Sequence, residues 1–192
     1  MIASLTFAFV LLLPAGLTAP TQDCTLDRLT ATPADHEAVA AFRAAADDYA
    51  ALHRRLDRAL MVVHYSSWSD EGDMERETLG EVIRAARPQS RRGTIFNGAV
   101  TELIRFRLGR AVWLQRYRDA ETLAEAAAQP LEPPRVHDGW FGDDQARWEP
   151  LVSELPALPE ELEYRFTGRH LVLIDAHAQL VVDVLADALP AR

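Results

Sequence analysis

The chain contains no lysine: all 20 of its basic residues are arginine. A lysine Schiff base, a catalytic lysine amine and the phosphate-binding lysine of a P-loop are therefore excluded. Cysteine is almost absent as well. Cys24 is the only one, so no intramolecular disulfide can form. No Gly-x-Ser-x-Gly elbow and no Gly-rich phosphate loop occur, so nucleophilic catalysis has no motif behind it. No internal repeat or low-complexity tract is found.

What is present is ordinary for a globular chain. Of 192 residues, 48% are hydrophobic and 26% charged, which suits one domain with a real core. The net charge of −9 argues against duplex nucleic acid as a partner. Ile2 to Leu13 is an apolar run of signal-peptide length, too short to span a bilayer comfortably. We expect residues 1–19 to be a signal peptide ending at Ala19, followed by a loose arm over 20–32. Export to the periplasm or outside the cell follows, with an uncleaved N-terminal anchor as the competing reading. No basic residue precedes the run, which is atypical of a leader.

Residues 33–192 are expected to form a single domain, helical over 33–129, proline-rich over 130–160, and closed by a hairpin and last helix over 161–192. Thr32 is a fair N-cap and Pro33 suits the first helical position. Apolar residues then recur at Phe42, Ala45, Tyr49, Leu52, Leu56, Ala59 and Val63, the stripe of a helix running to Tyr65. His53, Asp57 and His64 lie beside that stripe, where a ligand trio is conceivable and a solvated flank is the plainer reading. A shorter helix from Met74 to Ala86 follows. A third is expected from Arg92–Thr94 to Ala128, with Phe96, Ala99, Leu103, Phe106, Trp113 and Tyr117 on its packed face. Arg110 falls on that face, so it is either paired when buried or binds an anion. The fold class expected is mainly α within α+β: a long antiparallel helix pair, a short helix, a C-terminal β-hairpin and a terminal helix.

Residues 129–160 hold six of the eleven prolines. Long irregular segments inside a compact domain are often functional. Here "HDGWFGDD" gathers His137, Asp138, Asp143 and Asp144 around Trp140 and Phe141. Oxygen-rich loops with a His can hold a divalent metal, although Asp and Gly also make turns, and the spacing matches neither an EF-hand loop nor a His-Glu-x-x-His helix. A short helix around Asp143 to Trp148 is also conceivable.

In "LEYRFTGRHLVLIDAHAQLVVDVL", Leu162, Tyr164 and Phe166 alternate with charged residues, which predicts a strand with one dry face. Thr167-Gly168 is the turn, and Leu171 to Ile174 returns with both faces apolar. Two readings compete beyond Ile174. If Leu180 to Leu185 is a strand, Asp175 and His177 share a face and Asp183 approaches them. If Asp175 caps a helix over 176–189, Asp183 faces water and His177 packs with apolar residues at the helix start. The clean helical period of Gln179, Asp183 and Asp187 favours the helix, against the strand propensity of three valines. This block resembles the C-terminal tail of small exported bacterial proteins of unknown function. The resemblance covers about 25 residues and implies a setting, with no mechanism or site residue.

The functional expectation is an exported, non-catalytic binding or interaction protein without a cofactor, whose partner is a protein or small ligand. Trp140, Phe141 and Arg110 are its expected contacts, and no membrane is engaged beyond the leader. The alternative is a metal-dependent hydrolase using His137, Asp138 and Asp143.

Overall fold

A computed structural model describes residues 32–64, 72–115, 132–140 and 151–190. Among these residues three helices precede a three-stranded antiparallel sheet: α1 Pro33–His64, α2 Gly72–Ala86, α3 Gly98–Gln115, then β1 Leu162–Thr167, β2 His170–Asp175 and β3 Leu180–Leu185, ordered β1-β2-β3. The molecule is thus α+β. Among the described residues no helix is long and apolar enough to cross a membrane.

The start of α1 is a capping box. The Asp35 N–H donates to Thr32 Oγ, and the Thr32 N–H donates to Asp35 Oδ2 at 2.8 Å. One stripe of α1 (Ala38, Phe42, Ala46, Tyr49) is buried against Leu79 and Ile83 of α2 and against Val100, Ile104 and Leu108 of α3. The same core takes in the inner face of the sheet, through Leu162, Tyr164, Phe166, Leu171, Leu173 and Leu180. Phe42 stacks on Phe96 with ring centroids 5.8 Å apart. β1 alternates buried and half-buried residues, and β2 is buried on both faces. Gly168 turns between them at φ 54°, a left-handed conformation that a residue with a Cβ resists.

After a turn at 176–179 the chain forms the strand β3, and the expected terminal helix over 176–189 does not form. The register of β2 and β3 shifts between Leu173 and Ile174, so Leu173 pairs with Asp183 while Ile174 pairs with Val181. Val182 is the extra residue of a β-bulge. The bulge turns Asp183 to the side of Leu173 and hides it from the alternation that marks a plain strand. Gln179, at φ 49°, completes the turn without glycine.

Asp183 therefore does not face water: it is fully buried. Its Oδ1 accepts from Gly93 N–H (2.7 Å) and Val184 N–H (2.7 Å), and its Oδ2 from Ile95 N–H (2.6 Å) and Phe96 N–H (2.8 Å). That carboxylate shapes the loop before α3, which begins at Gly98 instead of Arg92–Thr94. Gly93 takes φ 83° there. The expected continuation of α3 from 116 to Ala128 lies outside the described residues.

Segment 137–140 runs along the outer edge of β3. His137 N–H donates to Val181 O, Val181 N–H to Asp138 O and Trp140 N–H to Gln179 O, so the strap covers an edge that would otherwise be open. Trp140 packs on the outer sheet face with Val172, Ile174, Val181 and Val184.

Candidate functional site

Two places carry chemistry. The first joins α1 to the β2–β3 turn. Tyr49 and His53 lie one helical turn apart on α1, and both reach Asp175 at the end of β2. Tyr49 Oη donates to Asp175 Oδ2 at 2.7 Å, and His53 Nδ1 lies 2.6 Å from the same oxygen. Asp175 Oδ1 accepts the backbone N–H groups of His177 (3.0 Å) and Ala178 (2.8 Å). The carboxylate is acceptor-only, so Nδ1 of His53 holds a proton, and in the neutral ring Nε2 presents its lone pair on the far side. Toward that atom comes Nδ1 of His177, at 3.3 Å, from the exposed turn.

His53 is 2% exposed and Asp175 0%. Burial alone would weaken the hold of His53 on a proton, but the hydrogen bond and charge of Asp175 outweigh it and the pKa is raised. Burial alone would raise the pKa of Asp175, but His53, the Ala178 N–H and Tyr49 together bring it below the ordinary carboxylate value. Tyr49 is pushed far above the phenol range by burial and by Asp175, so it stays a neutral donor.

Glu161 stands beside this group. It is 2% exposed, and its Oε1 accepts from Arg54 at 2.9 Å. Its carbonyl accepts the Ala176 N–H, and its charge acts on both His53 and Tyr49. Oε2 is buried with no hydrogen-bond partner among the described residues.

The second place is the outer face of α3. Apolar residues run round this whole helix, so period alone could not choose the packed side. Of the expected stripe, Phe96 is buried ahead of the helix, whereas within α3 the stripe faces outward: Phe106 is 66% and Trp113 58% exposed, while Val100, Ile104 and Leu108 face the core. Arg110, on the same outer face, is exposed, and Arg107 is the arginine that is buried. Beside them a groove of about 310 Å³ is lined by Asp35, Ala99, Glu102, Leu103, Phe106, Arg107 and Arg110.

Of the residues expected from the "HDGWFGDD" loop, the described ones make contacts within the fold. Trp140 is 9% exposed and belongs to the outer-sheet cluster, so it is no contact surface. Asp138 Oδ2 accepts the Arg135 N–H at 2.8 Å across a turn that the Asp138 N–H closes on the Arg135 carbonyl, and His137 sits at φ 77°. His137 Nε2 is buried without a hydrogen-bond partner among the described residues, and burial, Arg87 and Arg84 lower its pKa. Phe141, Asp143, Asp144 and the conceivable helix around 143–148 lie outside the described residues. His177 is exposed and does not pack in an apolar group. The His53 site was visible in the sequence only as a helical flank, because its partner lies 122 residues away. No family model, no curated protein and no solved structure matches the chain.

Proposed function

We infer that the protein is an exported, non-catalytic binding protein that takes an apolar anion, or an apolar segment bearing a carboxylate, along the outer face of α3. One observation carries this: Phe106 and Arg110 stand exposed, one turn apart, at a groove outside the core. The described part of α3 holds three arginines against one glutamate, in a chain of net charge −9. An apolar wall with a guanidinium at its rim fits a ligand of mixed character. The carboxylates best placed for catalysis are already committed, Asp183 to four backbone N–H groups and Asp175 to Tyr49, His53 and a turn. The apolar run at the N-terminus and the exported-protein tail it resembles support the location.

Anilinonaphthalene sulfonate, an aromatic anion that fluoresces on apolar surfaces, tests the reading. The wild type should bind it saturably, and Arg110→Ala or Phe106→Ala, both at exposed positions, should each weaken binding without changing the circular dichroism spectrum. Equal dye binding by all three proteins would refute the assignment.

A further inference from the structure

We propose that His53 and His177 chelate a divalent transition-metal ion of the zinc class, with Glu161 as the third ligand. Two imidazole nitrogens from different elements stand 3.3 Å apart here. Two nitrogens on one tetrahedral zinc, at the usual Zn–N length of about 2.0–2.1 Å, are separated by about 3.3–3.4 Å. The pair therefore already has the spacing of two ligands of one ion.

The surroundings match the needs of a metal-binding histidine. His53 donates its Nδ1–H to a carboxylate, the second-layer contact that fixes the ring and strengthens the lone pair of Nε2. His177 presents Nδ1 once its proton sits on Nε2, a tautomer change that neither gains nor loses a proton. The turn carrying His177 is exposed and gives the ion a way in.

An independent observation supplies the third ligand. Glu161 is 2% exposed, yet its Oε2 has no hydrogen-bond partner among the described residues. A buried carboxylate oxygen without a donor is costly, and a cation is a natural partner for it. Arg54, the neighbour of His53, holds the other oxygen, and the Glu161 carbonyl holds the Ala176 N–H next to His177. Both links tie Glu161 to residues that adjoin the two histidines in sequence. Among the described residues no three His, Cys, Asp or Glu side chains already enclose one point. Glu161 therefore closes in by a rotamer change as the ion enters, and water completes the shell. Two nitrogens and one oxygen suit Zn(II), Co(II) and Ni(II) better than Ca(II) or Mg(II), which want oxygen alone.

The test uses the full purified protein, stripped with EDTA and titrated with zinc chloride by calorimetry. One equivalent should bind in the micromolar range or tighter, magnesium should not compete, and zinc should raise the melting temperature. His177→Ala leaves the backbone bonds to Asp175 intact, and it should weaken zinc binding by about tenfold or more. His36→Ala, at an exposed position on α1, should change nothing. Cobalt loading gives a readout that a structural role would not move: the visible band of the Co(II) protein should shift in Glu161→Gln. If His177→Ala does not fold, His177→Gln replaces it. Absence of zinc binding, unchanged affinity in the His177 variant, or equal losses from His36→Ala and His177→Ala would overturn the site. So would a cobalt spectrum unmoved by Glu161→Gln, for the third ligand.

Discussion

Asp183→Asn should be among the most damaging isosteric changes in this protein. The carboxylate accepts four backbone N–H groups, two on each oxygen, at 2.6–2.8 Å. An asparagine keeps one oxygen and can satisfy two of them. Its amide nitrogen then faces the other two, donor against donor. Hydrogen bonds to charged groups contribute about 1.5–3 kcal/mol each, so two lost bonds amount to about 3–6 kcal/mol. The neutral amide is cheaper to bury than the carboxylate, which returns part of this. A net loss of about 3–4 kcal/mol is expected, against a total stability of about 5–15 kcal/mol for a domain. For a chain of 192 residues that lowers the melting temperature by about 10 °C. Urea unfolding followed by circular dichroism measures it, with Asp187→Asn as the control. Asp187 is 61% exposed and meets Arg169 only at 3.4 Å, so its loss should stay within about 0.5 kcal/mol. If Asp183→Asn cost less than about 1 kcal/mol, the idea that this carboxylate organises the loop before α3 would be wrong.

Other outcomes follow from the same contacts. Trp140→Ala empties the outer face of the sheet and should cost about 3–5 kcal/mol by urea denaturation; a loss typical of an exposed side chain would restore Trp140 as a contact residue. Tyr49→Phe removes one donor from Asp175 while three others remain, so about 1 kcal/mol is expected, whereas Asp175→Ala should cost several times more. His137 has a lowered folded pKa, so it favours the folded state above its ordinary value of 6.5, and that contribution fades as pH falls through the folded value. Melting temperatures between pH 7.5 and 5 should fall more steeply for the wild type than for His137→Gln; parallel curves would show that His137 titrates freely.

The parts of the fold legible in the sequence are those decided by neighbours. Thr32, Pro33 and the stripe from Phe42 to Tyr49 announce α1, and the alternation of Leu162, Tyr164 and Phe166 with Gly168 announces the first hairpin. The last strand was obscured because its bulge breaks the period of two, leaving Gln179, Asp183 and Asp187 with a helical spacing that nothing in the fold uses. Trp140 was misjudged because a Gly-flanked aromatic in a proline-rich stretch gives no sign of the sheet edge it covers. On α3, apolar residues on every side left the packed face undetermined, and Arg110 was placed inward where Arg107 belongs. His53 and Asp175 each carried a local reading, a flank and a cap. Only closure of α1 on the β2–β3 turn makes them one group.

The bond between Asp183 and the loop at residues 93–96 also has a temporal side. The residues that must be held are synthesised long before the carboxylate that holds them. Until β3 emerges, α3 lacks the anion before its first turn, and the inner sides of all three helices lack the sheet. Native closure thus waits for a carboxylate that lies 90 residues beyond Gly93, a high-contact-order step that slows folding.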